Sequence, residues 1–384
     1  MDSKKLFKFL AAGALALSTL AGCGGSGNND ETVKIGLIYE LSGAVAEYGK
    51  AELKGSQLAI ELANKKIGTE KYKGIEYDTT SDIGKATNLA EQAVGEGVIG
   101  IVGPATSGAS KAIYPVANDG EVPVISPSAT EIDVTKDPSG KVYDYIYRVC
   151  FEDSYQGAAM AQFAVDTLKA GKVAIYGEDS QYGNGLADSF EKQFTKLGGT
   201  IVFKGKYNAG DKDFDGVLTP LVSQGIDALY IPGYYAEAGA IISKARELGI
   251  NCAIIGADGF DSPTLPDIAG VDNLNNVYYT TAYTTVGASD ALLKFVDDYK
   301  AKFNEEPSMF AALAFDSTNL LIQAIEEAGT TDTAAVKAAL DKIEFNGITG
   351  SFTFDDAHTP VKSVLVVELV DGVQKDAVNV TPKN

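Results

Sequence analysis

The chain is 384 residues long and carries 32 lysines and arginines against 52 aspartates and glutamates, a net charge of −20. That balance argues against nucleic acid and anionic lipid faces as partners, because phosphates are held by clustered Lys and Arg. One histidine and three cysteines leave no zinc-ligand pattern and no disulfide framework.

The first 31 residues read as an address rather than a fold. Lys4, Lys5 and Lys8 precede a short apolar run over 9–19, which closes on Leu20-Ala21-Gly22-Cys23. A basic start, a short apolar core and small residues before a cut describe a secretory leader. The run falls short of the roughly 20 apolar residues a membrane span needs. A cysteine at the cut resembles a bacterial lipobox, which implies that 1–22 is a signal peptide and that Cys23 is lipidated and heads the mature chain. Loss of three lysines and Asp2 then moves the net charge from −20 to −22. Gly24 to Glu31, rich in Gly, Ser and Asn, predicts a flexible tether over 23–31. Everything beyond is expected to work outside the cytoplasm.

From Val33 onward short β-branched runs alternate with helical patterns. Strands are predicted at 33–39, 75–80, 98–102, 122–126 and 146–149. A second series follows at 172–176, 200–206, 228–231, 253–256 and 277–281. Helices are predicted at 51–66, 85–96, 107–118, 154–170, 184–197, 213–224, 236–248, 289–304, 310–328 and 333–342. This alternation predicts an α/β fold with parallel sheets covered on both faces. About 350 residues exceed what one core usually holds, so the two series predict two doubly wound lobes. The tail breaks the rhythm: 352–354 and 363–370 are strands without a helix between them, expected to pass between the lobes and add to their sheets. Cys150 and Cys252 are expected to be free, buried thiols rather than a pair.

Two motifs fail on context. Gly95-Glu96-Gly97-Val98-Ile99-Gly100 matches a dinucleotide fingerprint, but a helix precedes it and a strand follows, the reverse of what a pyrophosphate site needs. Asp211 to Gly216 opens like a calcium loop, yet its twelfth position is Val222. Asp211 or Asp213 is better placed to cap the next helix. No nucleophile elbow or zinc helix occurs, so enzyme chemistry has little to stand on.

What remains are the turns after the strands, where open α/β sheets bind ligands. Gly103 to Gly108 and Ser126 to Thr130 offer hydroxyls and unpaired N–H groups, which suit an anion such as a carboxylate. In the second series, Gln181-Tyr182-Gly183, Gly233-Tyr234-Tyr235 and Asp258-Gly259 offer tyrosines and one acid for a cation. A ligand bearing both charges, an α-amino acid, satisfies both halves.

Those residues, together with Leu41-Ser42-Gly43 and Tyr48-Gly49, make the chain resemble type I periplasmic binding proteins, specifically the leucine/isoleucine/valine-binding branch of ABC transporter receptors. The likeness runs from about Val33 to the end. It implies a three-strand hinge near 149–152, 280–284 and 355–361. The lobes would be 32–150 plus 283–356 and 151–282 plus 357–384. Ser107, Ser128 and Thr130 would hold the ligand carboxylate. The Ser128 carbonyl and Thr130 hydroxyl could also accept from its ammonium, whose ionic partner would be Asp258, where relatives carry Glu. Tyr182 and Tyr234 would close over the ligand, while Tyr48 and Phe310 would line its side-chain pocket. Ser81 and Thr106 stand where some relatives have a disulfide. The resemblance implies a monomeric binding protein, not an enzyme. Its partners would be an amino acid and an ABC permease with its ATPase subunits, and it would need no cofactor. The remaining alternatives are a sensor subunit, or the same fold taking an amide, urea or an aromatic acid.

Overall fold

A computed structural model describes residues 32–360 and 362–383. The leader, the tether and Cys23 lie outside the described residues.

The first series runs β1 Val33–Tyr39, α1 Ala46–Ile67, β2 Tyr72–Asp78, α2 Ile83–Gly95, β3 Gly100–Val102, α3 Ser107–Asp119, β4 Val124–Ser126 and β5 Ile146–Arg148. Its strands form one parallel sheet in the order β2-β1-β3-β4-β5. Nearly every residue of β1 is buried, as expected for a strand covered on both faces. Gly95 ends α2 before β3 begins, so the fingerprint-like run is a helix end entering a strand.

The second series runs α4 Asp153–Asp166, β6 Lys172–Glu178, α5 Gln181–Lys196, β7 Thr200–Tyr207, α6 Asp215–Leu221, β8 Ala228–Tyr230, α7 Tyr235–Glu247, β9 Ala253–Gly256, α8 Leu265–Ala269 and β10 Val277–Thr281. Then come α9 Asp290–Phe303, α10 Met309–Ala328, α11 Thr333–Leu340, the hairpin β11 Phe345–Gly347 and β12 Gly350–Phe352, and the final pair β13 Val364–Val370 and β14 Val373–Val380. The second sheet has seven strands in the order β14-β13-β10-β9-β8-β6-β7. Its β13 and β14 run antiparallel, so the wholly parallel expectation holds for the first sheet and needs correction for the second. The tail adds strands, as expected, but two more than the sequence suggested: β14, and β11, which pairs with β12 in a hairpin that packs Phe345 and Phe352 into the first core; the strand expected at 352–354 is β12, which ends at Phe352.

Helices α9 and α10 return to the first sheet and pack on α1. Gly55 makes the approach of α1 to α10 possible, since a Cβ there would stand 2.1 Å from the Ala311 carbonyl oxygen. The chain therefore passes between the sheets three times: after β5, after β10 and after β12. Arg148, at the end of β5 and fully buried, ties two of these passages together. Its guanidinium donates to the Glu131 carbonyl (2.7 Å), to Glu152 Oε2 (2.9 Å) and to Thr359 Oγ1 (2.9 Å).

The hairpin is pinned by buried Asp316 of α10, whose carboxylate accepts from the N–H groups of Ile348 (2.9 Å) and Thr349 (2.8 Å) and from the Thr349 hydroxyl (2.6 Å). Asp316→Ala strands those donors and is expected to cost about 2–3 kcal/mol in urea unfolding. A change below about 0.5 kcal/mol would contradict that role.

Two smaller expectations need adjusting. Neither Asp211 nor Asp213 caps α6: the cap is Phe214 without a side-chain bond, and Asp213 accepts from Asp215 N–H at 3.1 Å. Cys150 and Cys252 are both free thiols, but only Cys150 is fully buried.

Candidate ligand-binding site

The site lies where the carboxyl ends of the two sheets face each other, as an open α/β fold places it. On the first side, the turn after β3 starts α3. Thr106 caps it, its hydroxyl accepting from Ala109 N–H at 3.4 Å. Glu40, just past β1, takes the N–H groups of Ala105 (3.0 Å) and Thr106 (3.1 Å) and the Thr106 hydroxyl (2.7 Å). The N–H groups of Ser107 and Gly108, at the start of α3, have no partner among the described residues. Ser107 Oγ accepts from Glu131 N–H (3.2 Å), which fixes the 126–131 turn against α3.

Ser128 is more constrained than the sequence suggests. Its Oγ lies 2.5 Å from Glu52 Oε1 and 2.8 Å from the Ala105 carbonyl. Both neighbours are acceptors when Glu52 is ionised, and one hydroxyl proton cannot serve both. A protonated Glu52 donating to Ser128 satisfies the set. Burial pushes the Glu52 carboxyl well above its ordinary range, which agrees. The Ser128 hydroxyl is thus engaged, and its backbone groups are what it presents. Thr130 is fully buried, and its hydroxyl has no partner among the described residues.

On the second side, β9 ends in a 3-10 turn, Asp258–Phe260. Asp258 is buried, and its Oδ1 accepts from the Tyr182 hydroxyl at 2.6 Å. The same hydroxyl accepts from Gly259 N–H at 2.9 Å. Residue 259 must be glycine, since a Cβ would stand 2.6 Å from the Gly233 carbonyl oxygen. Tyr182 and Tyr234 stack with centroids 5.0 Å apart and planes 4° from parallel.

Tyr48 crosses from one side to the other. Its hydroxyl donates to the Gly259 carbonyl (2.5 Å) and accepts from Tyr235 N–H (3.1 Å), while its ring stacks on Phe310 at 4.1 Å. Seven of the eight residues singled out in the sequence (Tyr48, Ser107, Ser128, Tyr182, Tyr234, Asp258 and Phe310) line one cavity with about 10 Å³ between their side chains. That is room for the centre of one water. A larger ligand does not fit it in this conformation. Thr130 is not among the residues lining it; its carbonyl accepts from the N–H of Asp153, which with its partner Gln156 the sequence did not single out. Glu40 and Glu52 were also missed.

Burial raises several carboxyls here: Asp258 to about 6, Glu178 to about 7 and Asp261, just beyond the 3-10 turn, to about 7. Each holds its proton more tightly folded than unfolded. Their contribution is therefore present below the ordinary carboxylate range and is lost as pH rises through the folded values. The ligand-free protein is expected to melt at a higher temperature at pH 5 than at pH 7.5. An equal or lower midpoint at pH 5 would contradict this.

Two facing α/β sheets, three chain passages and a cleft lined with hydroxyls, tyrosines and one buried acid define a solute-binding protein. The chain belongs to the periplasmic binding protein family, whose pattern matches residues 32–374. It is similar to the leucine-, isoleucine-, valine-, threonine- and alanine-binding protein of Pseudomonas aeruginosa, with 31% identity over 332 residues, 85% of this chain and 86% of that protein. Among solved structures it is similar to LivJ of Streptococcus pneumoniae, a branched-chain amino acid transporter substrate binding protein solved with isoleucine. There the identity is 37%, the TM-score 0.86, and the coverage 92% of this chain and 100% of that one. The leucine binding protein LivK of Thermotoga maritima matches at 34% identity and a TM-score of 0.85, over 91% of this chain and 99% of that one. These relatives are solute-binding proteins, not enzymes, and family membership implies work outside the cytoplasm. Among the described residues, no helix is long and apolar enough to cross a membrane.

Proposed function

We propose that this protein is a lipid-anchored receptor that captures a small aliphatic α-amino acid, branched-chain above all, and hands it to the permease of an ABC importer. The observation that carries this is the polarity of the cleft. One side offers the α3 start and the 128–130 turn, with unpartnered donors for a carboxylate. The other offers buried Asp258, with no protein cation bonded to it among the described residues. A buried charge without a partner is costly, and an ammonium removes that cost. The names of the relatives point to the same ligand class.

In this reading, segments 32–150 plus 283–356 and 151–282 plus 357–384 move as two lobes about the three passages. Ligand favours the closed form through contacts that exist only there. Tyr48, which bonds across the cleft, is part of the latch. Cys23 carries the lipid, and 23–31 lets a monomer swing onto its permease. The acid at 258 is one methylene shorter than glutamate, so its reach to the ammonium is shorter.

A thermal-shift screen of the purified domain against the twenty amino acids, benzoate, acetamide and urea tests the proposal. A ligand at a hundred times its Kd stabilises by about 2.7 kcal/mol. Leucine, isoleucine, valine or alanine are expected to give the largest shifts. A response to benzoate, acetamide or urea alone would overturn the ligand assignment. In cells, Cys23→Ala is expected to release the protein from the membrane fraction. Unchanged membrane retention would contradict the lipid anchor.

A further inference from the structure

One buried acid near the cleft has no evident work in this scheme. Asp153 is the first residue of α4, just past the first passage between the sheets. Acids at that helix position are common, but they stand in solvent against the helix dipole. Asp153 is fully buried. Its N–H donates to the Thr130 carbonyl at 2.8 Å, which anchors it to the opposite side of the cleft. Its Oδ1 accepts from Gln156 Nε2 at 3.3 Å, and its Oδ2 has no partner among the described residues.

Gln156 links this acid to Asp258. Its amide nitrogen serves Asp153, while its Oε1 accepts from the Asp258 N–H at 2.9 Å and from the Thr280 hydroxyl. Two buried acids thus stand at the two ends of one glutamine amide, Asp153 through its carboxylate and Asp258 through its N–H. The groups that face them bring no free positive charge. Arg148 on β5 is committed to Glu152 and to backbone carbonyls. Glu131 adds negative charge but is paired with Lys111 at 3.2 Å, and buried Asp261 is a third carboxyl close enough to feel Asp258. Tyr182 on α5 and Tyr230 on β8 are buried phenols whose pKa values lie well above the ordinary range, and the Cys150 thiol is raised to about 12, so all three stay neutral. Two neighbouring buried carboxylates without a cation do not both ionise. Burial, and then the Asp258 charge, hold Asp153 well above the carboxylate range, against smaller opposing pulls from the Thr130 hydroxyl and Arg148.

We propose that Asp153 and Asp258 together form the ammonium seat, share a single proton in the free protein, and release it when a ligand's ammonium takes its place. The exchange balances. A carboxylic acid, a carboxylate and a zwitterion become two carboxylates around one ammonium, with one proton passed to solvent. Only the carboxyl O–H bond breaks. The buried Thr130 hydroxyl, set against Asp153, supplies a neutral acceptor for the same ammonium. The inference rests on the amino-acid reading of the site and adds to it a second anchoring acid and a pH dependence. Capture strengthens as pH rises from 5 to 8, because less work is needed to remove the proton.

Calorimetry at pH 7 tests this, with leucine, isoleucine, valine and alanine titrated in phosphate and in Tris. The two buffers differ widely in ionisation enthalpy, so a released proton appears as a buffer-dependent heat. About one proton per bound ligand is expected for the unaltered protein. Asp153→Asn, checked for folding by circular dichroism, keeps the shape of the acid. It is expected to bind about 10-fold more weakly, with release falling close to zero. Binding with a buffer-independent heat, or release unchanged in Asp153→Asn, overturns this inference and leaves the receptor reading standing. No binding by any of the four amino acids overturns the receptor reading, and this inference with it.

Discussion

Replacing Asp258 with alanine is expected to weaken amino-acid binding by at least about 100-fold, the scale set by removing one partner of a buried charge pair. The ammonium would face Asp153 alone, and the Tyr182 hydroxyl would lose its 2.6 Å acceptor. The fold should survive. Asp258 sits in a short turn, and Gly259 N–H still has the Tyr182 hydroxyl at 2.9 Å. Calorimetry with leucine on a variant of unchanged circular dichroism reads the effect. Affinity within threefold of the unaltered protein would remove Asp258 from the site.

The second large effect falls on stability. Arg148→Met keeps most of the side-chain volume and removes the charge. It leaves the Glu131 carbonyl, the Glu152 carboxylate and the Thr359 hydroxyl without a shared donor. Glu152 is partly exposed and can turn to water, so the cost is that of the stranded buried acceptors, about 1–3 kcal/mol. The loss should appear in urea unfolding of the ligand-free protein. Because Arg148 joins the first and third passages, the same variant should also loosen the geometry on which closure depends. A loss below about 1 kcal/mol would mean that the guanidinium contributes little net stability at this junction.

Much of this architecture is legible in the chain because burial on both faces leaves a mark. Val33–Tyr39 is a mostly apolar run and Ala253–Gly256 is made of β-branched and small residues, and both lie where the pattern puts them. The strand β14 escaped because it is a solvent-facing edge. Val373, Gln374, Lys375 and Asp376 carry little apolar alternation, and pairing with β13 is what makes them a strand. Of the hairpin β11–β12 only Phe352 fell in an expected strand, because its strands are three residues each and its turn is held by Asp316, a residue of a distant helix.

The site divides in the same way. Ser107, Ser128, Tyr182 and Asp258 stand in the turns after strands or at the helix starts those turns lead into, where a ligand is expected, so they were legible. Glu52 was findable: Tyr48, Glu52 and Ser56 recur every four residues on one buried face of α1, and an acid there is out of place. Asp153 was not. As the first residue of a helix it looks like any acid that favours the dipole, and only the Thr130 contact and full burial set it apart. Nor could the sequence show that the Ser128 hydroxyl is taken by Glu52 and Ala105.

The central claim is that the cleft recognises both charges of one small molecule. Competition calorimetry with leucine, 4-methylpentanoate and isopentylamine tests it most directly, since the latter two each keep the side chain and one charge. The account predicts that leucine binds and that each analogue is weaker by at least about 100-fold, because one half of the cleft is left unpaired. Binding of 4-methylpentanoate within tenfold of leucine would contradict it, since Asp153 and Asp258 would then have no ammonium to hold.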